Sequence, residues 1–285
     1  MTKLITIKDL NFQYAKNAPL LSNFSLDLEA GHIYGLLGKN GEGKSTLLKL
    51  ISGLVFAQGG SIDVMGFNPQ LRHPNMLQDI YFLPEDLYQT SLSIEKYEQA
   101  YAPYYPHFNA NQFNQLLTEF EIDSKKASLS KLSHGQKKKV MIAFGLATNT
   151  KLLLLDEPTN GLDIPSKAQF RRMVASAMNR ERCLIISTHQ VRDLDGLIDN
   201  ITIMDHHKIS FNETVEDIKK KLTFKLGNRT DTDESIIYTE ETIQGFCQVK
   251  ENLTGEETKV DIELLFNALM TNKIRIQALF SKHDN

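Results

Sequence analysis

"GLLGKNGEGKSTLLKL", residues 35–50, sets glycines at 35, 38, 41 and 43 around Lys39 and Lys44, then runs into an apolar helical pattern. The segment Gly38-Lys39-Asn40-Gly41-Glu42-Gly43-Lys44-Ser45 fits the spacing G-x-x-x-x-G-K-[ST]. Each residue type has a physical reason. Glycines accept positive φ and let backbone N–H groups approach phosphate oxygens. A helix starting near Lys44 points the positive end of its dipole at the same anion. Lys44 is placed to reach the β- and γ-phosphates, and Ser45 offers a hydroxyl to Mg²⁺. Asn40 and Thr46 join Gly38, Gly41 and Gly43 as candidate contacts in this stretch.

Outward from the loop, "IYGLLG" (33–38) reads as a buried strand ending in glycine, and Leu47, Leu48, Leu50, Ile51 and Leu54 follow at helical spacing. "IYFL" (80–83), "KLLLLD" (151–156) and "CLIIS" (183–187) are short continuous apolar runs, as buried parallel strands are. A helical pattern at about 165–180 lies between the last two. This alternation predicts an α/β sheet with helices on both faces. Residues 3–36 read as short strands, an antiparallel part, with turns at "AKNAP" and "EAGH". Residues 91 to about 131 read as helical, broken by the prolines of "YAPYYPHF". After about Val215 the text turns polar, and a strand pair and a last helix, "DIELLFNALMTN", are expected. The expected organisation is a nucleotide-binding domain over 1–215, with a helical subdomain at about 86–145, and a small α+β accessory or regulatory domain over 216–285.

The stretch "LLLLDEPTNGLD" ends a buried strand in two carboxylates, where α/β sheets bind their ligands. Asp156 is placed to hold Mg²⁺, usually through water, and Glu157 to polarise an attacking water. The bland alternative is an exposed acidic turn, which the phosphate loop disfavours.

Composition narrows the classes. The 285 residues are 41% hydrophobic, enough for one large domain and a smaller one. A net charge of -3 shows no global basic field for nucleic acid. Two isolated cysteines, Cys183 and Cys247, suit a reducing compartment rather than a disulfide scaffold. No apolar run approaches the length of about 18 residues that a membrane-spanning helix needs, and the start lacks a signal-peptide pattern. A soluble, cytosolic chain is expected. Cys183 reads as inert core, and Lys219–Lys221 as a solvated face. His206 and His207 beside Asp205 read as a polar turn, with a metal site as the remote alternative.

Three further stretches fall into order with the loop and the acidic strand: "NFQYAKN" upstream, "LSHGQKKKV" (132–140) and "STHQ" (187–190). Over residues 3 to 215 the chain resembles the ATP-binding cassette ATPases. "YYPHF" before "LSHGQ" is further similar to bacterial exporter ATPases of the bacitracin- and acetoin-transporter type. The resemblance implies ATP and Mg²⁺ as cofactors. It implies that Tyr14 stacks on adenine, although a strand tyrosine could equally be core. It implies that Ser133, Gly135 and Gln136 cap the γ-phosphate of ATP held by an opposite subunit. Ser133 also reads as a plain helix cap, which by itself leaves Gly135 and Gln136 unexplained. His189 would contact the γ-phosphate and help hold Glu157 and the water, where a lone histidine after a strand is usually only a satisfied polar residue. Gly161 and Asp163 match the loop that couples two sites. Two residues depart from the pattern. His134 stands where the family has glycine, so its ring must point away from the nucleotide. Glu85 stands where the family has glutamine. It can still join Ser45 and Asp156 on Mg²⁺, but without metal it would repel the γ-phosphate, so a steep Mg²⁺ requirement is expected.

Each motif occurs once, so two chains are needed to complete a site. A C2 homodimer, or a pair with a related cassette, is expected. The resemblance also implies a separate transmembrane permease as partner, with this chain at the inner face of the membrane, and no direct nucleic acid contact. The aromatic stretch Asp86–Tyr105 would either meet that permease or fill the helical subdomain's core. The rival reading is a soluble ATPase of the same type acting on ribosomes or DNA. Such relatives carry two cassettes or a long coiled coil, and neither is present. A regulator without turnover is disfavoured by Lys44, Glu157 and His189.

Overall fold

The computed structural model describes residues 2–16, 18–228, 233–243 and 245–281. The turn expected at 15–19 contains residue 17, and the polar run after residue 226 contains 229–232; these lie outside the described residues. The chain opens with two long strands, β1 (Lys3–Ala15) and β2 (Ala18–Glu29), rather than several short ones. Their length survives because β1 changes parity mid-way. Ile5 and Ile7 point inward, then Leu10 and Phe12 do. The register shifts between Ile7 and Leu10, with Asp9 in the left-handed region at φ 48°. A bulge of this kind adds one residue and restores the apolar face to the core.

β3 (Ile33–Leu37) leads through the glycine loop into α1 (Lys44–Ile51), followed by β4 (Gly59–Val64), α2 (Pro74–Leu77) and β5 (Ile80–Leu83). Helices α3 (Ile94–Tyr101), α4 (Ala110–Glu119) and α5 (His134–Ala147) come next. Then follow β6 (Leu152–Asp156), α6 (Ile164–Ser176), β7 (Cys183–Thr188), β8 (Asn200–Asp205) and β9 (Lys208–Thr214). Six strands form the central sheet in the order β5-β6-β7-β3-β8-β9, all parallel except the β8–β9 hairpin. Every residue of β3, β6 and β7 is buried, so both faces of these strands are covered. Alternate side chains divide between two cores. Leu37, Leu153, Leu155, Leu184 and Ile186 pack towards α5 and α6. Leu36, Leu154, Cys183 and Ile185 pack towards α1 and the antiparallel sheet β2-β1-β4. Helices lie on both faces, as expected, and on one of them α1 is joined by a second sheet.

Much of the aromatic stretch is core. Phe144 of α5 stands among Tyr81, Tyr97, Tyr105, Phe108 and Phe113, with ring centroids 5.0–6.0 Å away. Tyr88 and Tyr104 remain 88% and 70% exposed, so they are free to meet another molecule. The core reading therefore holds for Tyr97 and Tyr105.

After β9 the chain forms α7 (Val215–Lys221), strands β10 (Leu222–Gly227), β11 (Ile236–Thr242) and β12 (Gly245–Glu251), and α8 (Ile262–Phe280). A three-stranded antiparallel sheet, β10-β12-β11, replaces the expected strand pair. Its buried residues Ile237 and Val249 and the α8 residues Leu265 and Leu269 join the same apolar cluster as α5 and α6. Ion pairs Arg192–Glu263 and Lys259–Asp195 also tie it to the turn after β7.

A buried arginine fastens three element ends. Arg182 donates to the carbonyl oxygens of Thr150 (3.0 Å), Ala177 (3.0 Å) and Leu146 (3.2 Å), and is 2% exposed. The Leu146 and Ala177 carbonyls lie at the C-terminal ends of α5 and α6, and that of Thr150 lies in the loop before β6. Arg182→Ala is expected to lower stability by about 3 kcal/mol, read as the midpoint of chemical denaturation, with Arg182→Lys between it and wild type.

Candidate functional site

The parallel register brings the informative residues to one edge. Leu37 lies opposite Thr188, and Asp156 opposite Ser187, so the turns after β3, β6 and β7 leave the sheet side by side. The glycine loop needs its glycines there. Gly41 and Gly43 adopt φ 89° and 101°. A Cβ on Gly38 would sit 2.7 Å from the carbonyl oxygen of Met204. Helix α1 carries no acidic residue in its first turn, so no carboxylate of its own caps the N–H groups that face the cavity. That cavity, about 350 Å³, is lined by Leu20, Asn40, Gly41, Gly43, Lys44, Ser45, Thr46, Glu85 and Glu157.

Lys44 is buried, and its ammonium donates to the carbonyl oxygens of Gly38 (2.7 Å) and Lys39 (3.0 Å). Burial holds its pKa below the ordinary lysine value, while the Glu157, Asp156, Glu42 and Glu85 carboxylates pull the other way. Ser45 Oγ donates to Asp156 Oδ1 at 3.0 Å, and the Ser187 hydroxyl donates to the same oxygen. Two hard oxygen donors from different elements thus meet below the loop, with Glu85 and Glu157 on the cavity wall. This donor set suits Mg²⁺, which takes one or two carboxylates and leaves its other positions to water and phosphate. It is no complete protein cage: among the described residues no group of three or more His, Cys, Asp or Glu could hold a metal ion.

Glu157 is held on all sides. Thr188 Oγ1 donates to Oε2 at 3.0 Å, the His189 N–H to Oε1 at 2.9 Å, and His189 Nδ1 lies 2.7 Å from Oε1. Its backbone is left-handed, φ 46°. A non-glycine residue stays there only when the surroundings enforce it. A carboxylate fixed at the mouth of a phosphate cavity, with a histidine on it, can orient and deprotonate a water. Glu85 Oε1 accepts from the Asn160 side chain at 3.2 Å, from the same turn. Tyr14 is no core tyrosine. It is 63% exposed, edge-on to Phe12, and its hydroxyl lies 3.2 Å from that of Thr46.

The remaining candidates do not line this cavity. Ser133, Gly135 and Gln136 sit at the start of α5. Ser133 Oγ accepts from the Gln136 N–H, and Gln136 Oε1 from the Ser133 N–H, a complete capping box. A Cβ on Gly135 would lie 2.8 Å from the Gly161 carbonyl oxygen. Local packing therefore accounts for Gly135 and Gln136, which the sequence left unexplained by a cap alone. The exposed His134 ring lies against Gly161. Asp163 caps α6, accepting from the Ser166 N–H at 2.8 Å, and hydrogen bonds from the Ser166 side chain and backbone lower its pKa. His206 and His207 form the β8–β9 turn, where the His207 N–H donates to Glu42 of the glycine loop at 2.8 Å.

Two features escaped the sequence. Lys138 is fully buried and donates to the carbonyl oxygen of Glu157 at 2.7 Å. The available signal was a lysine on the apolar face of α5, in phase with Ile142 and Gly145. Second, α8 reaches the site. A cavity of about 270 Å³ is lined by Gly38, Lys39, Thr188 and His189 on one side and by Glu263, Phe266 and Asn267 on the other. Nothing in the periodicity of residues 216–285 pointed there.

Comparison with known proteins agrees with this geometry. The family model described as "ABC transporter" matches residues 21–160. A putative ABC transporter ATP-binding protein of Caldanaerobacter subterraneus is 32% identical over 232 residues, 76% of this chain and 95% of that one. The chain belongs to the ATP-binding cassette ATPases of transporters. The bacitracin transport ATP-binding protein BcrA of Bacillus licheniformis is 28% identical over 80% of this chain and 77% of its own length. A solved structure titled "Structure of ATP binding subunit of ABC transporter" superposes with a TM-score of 0.69 at 24% identity, over 76% of this chain and 92% of that chain. As an ABC ATPase, this chain binds and hydrolyses ATP.

Gly135→Ala is expected to leave ATP binding unchanged and to cut the ATPase rate at least tenfold, because its methyl group displaces the 157–161 turn that carries Glu157. Nucleotide titration alongside steady-state hydrolysis checks this.

Proposed function

We propose that this cassette ATPase is the motor subunit of an exporter, and that two copies close around two Mg²⁺-ATP. The observation that carries the closure is the separation of the half-sites. Tyr14, Lys44, Ser45 and Glu157 belong to the loop cavity and its rim, whereas Ser133 and Gln136 are exposed and absent from its lining. A C2 arrangement completes each site with the partner's α5 N-terminus, which adds N–H donors to the γ-phosphate. Tyr14 stacks on the adenine; Gly38, Asn40, Gly41, Gly43 and Thr46 hold the phosphates with Lys44. Mg²⁺, held by Ser45, Asp156 and Glu85, offsets the charge gathered by the phosphates and the carboxylates. Glu157 takes the proton of the attacking water while His189 holds it in place. Asp163 and Gly161 stand where the two sites would communicate.

No helix among the described residues is long and apolar enough to cross a membrane, so the work passes to a separate permease, with exposed Tyr88 and Tyr104 as its contact. In this reading the chain works at the cytoplasmic face of a membrane. Export is supported by the similarity to the bacitracin transport protein. Residues 216–285 act as an accessory domain that senses the switch end of the site through α8.

Glu157→Gln is expected to bind Mg²⁺-ATP, to hydrolyse it only at a slow residual rate, and to shift from monomer to dimer in light scattering. A monomer mass at saturating nucleotide would exclude self-closure. Glu85→Gln is expected to lower the Mg²⁺ concentration for half-maximal ATPase, since it removes a negative charge facing the γ-phosphate; an unchanged rate and Mg²⁺ curve would deny it a sensing role. Tyr14→Ala is expected to weaken ATP binding roughly tenfold and Tyr14→Phe to leave it intact, read by equilibrium titration.

A further inference from the structure

Lys138 has no part in the phosphate chemistry set out above, yet its ammonium is completely buried. A buried charge is held only where something in the fold requires it. Here it donates to the Glu157 carbonyl oxygen at 2.7 Å, with a longer contact of 3.4 Å to that of Asn160. The same Glu157 carbonyl accepts from the Asn160 N–H at 3.2 Å, and the Glu157 N–H donates to Ser187 at 3.0 Å. These bonds fix both peptide groups of a residue in the left-handed region, φ 46°. That conformation turns the carboxylate towards Thr188 and His189. Asn160, in turn, holds Glu85 through its side chain. Burial lowers the Lys138 pKa, and Glu85, Glu157 and Asp156 oppose that shift.

Gly135 and Lys138, three residues apart, lie on one face of α5. Gly135 touches the Gly161 carbonyl and Lys138 the Glu157 carbonyl. Successive turns of one helix therefore grip both ends of the 157–161 turn. The capping box that begins this helix lies one turn before Lys138.

We propose that Lys138 is a positioning residue for ATP hydrolysis: it locks the Glu157 turn, balances the carboxylates of Glu157 and Glu85, and transmits the position of the α5 N-terminus to Glu157. The inference rests on Glu157 as the base, as proposed above. In the full dimer, α5 then joins the phosphate it caps on the partner to the base of its own chain.

The test compares wild type, Lys138→Met, Lys138→Gln, Glu157→Gln and the double variant Lys138→Met/Glu157→Gln as full-length chains. Single-turnover hydrolysis and ATP affinity are measured, with thermal melting to verify folding. Lys138→Met is expected to lower the hydrolysis rate at least tenfold with ATP affinity within threefold. Lys138→Gln, whose amide still donates to the Glu157 carbonyl, recovers part of the rate. In the Glu157→Gln background Lys138→Met costs nothing further, because both act through one group. Equal losses in both backgrounds, an unchanged rate in Lys138→Met, or a rise in Kd that parallels the loss would overturn the proposal. If Lys138→Met fails to fold, Lys138→Gln alone and in the Glu157→Gln background is judged by the same comparisons. Wild-type hydrolysis by Glu157→Gln would instead refute the base assignment, and this inference with it.

Discussion

Parallel pairing of β3, β7 and β6 sets the height at which three turns leave the sheet. Leu37 opposite Thr188 and Asp156 opposite Ser187 place the glycine loop, the acidic turn and His189 side by side. A slip of one residue in any of these strands would move its side chains to the opposite face and pull its turn away from the others. Two dry cores prevent that slip. Alternate residues of the same strands are buried against helices on one side and against α1 and the antiparallel sheet on the other.

The site built on this edge is electrostatically tense. Lys44 and Lys138 are both buried, and both have lowered pKa values from desolvation. Carboxylates from Glu85, Asp156 and Glu157 act on both of them. Neither cation gives its hydrogen bonds to a carboxylate. Each instead binds backbone carbonyls, Lys44 in the glycine loop and Lys138 in the acidic turn. The cations thereby set backbone conformation and leave the carboxylate oxygens to hydroxyls, an N–H and a histidine. ATP enters a loop cavity whose backbone is already fixed, which is what phosphoryl transfer asks of a protein.

The C-terminal residues share the apolar cluster of the larger part and contribute α8 to a cavity beside His189. Its own sheet and its ion pairs with Arg192 and Asp195 hold it against the turn after β7.

Local sequence determined the glycine loop, the buried strands and the acidic turn, because each depends on residue types at short spacing: glycine for positive φ, apolar runs for strands covered on both sides, carboxylates at a strand end. It also marked Tyr14, His189 and Glu85 through their order along the chain. Tertiary structure decided the rest, because it depends on contacts between residues far apart in sequence. Gln136 and Gly135 acquired reasons only when the capping box formed and the Gly161 carbonyl came within reach. Lys138 in a run of lysines looked like solvent-facing charge until α5 turned it onto the Glu157 carbonyl. The approach of α8 to His189 follows from packing between segments more than 70 residues apart, and no periodicity within either segment encodes that.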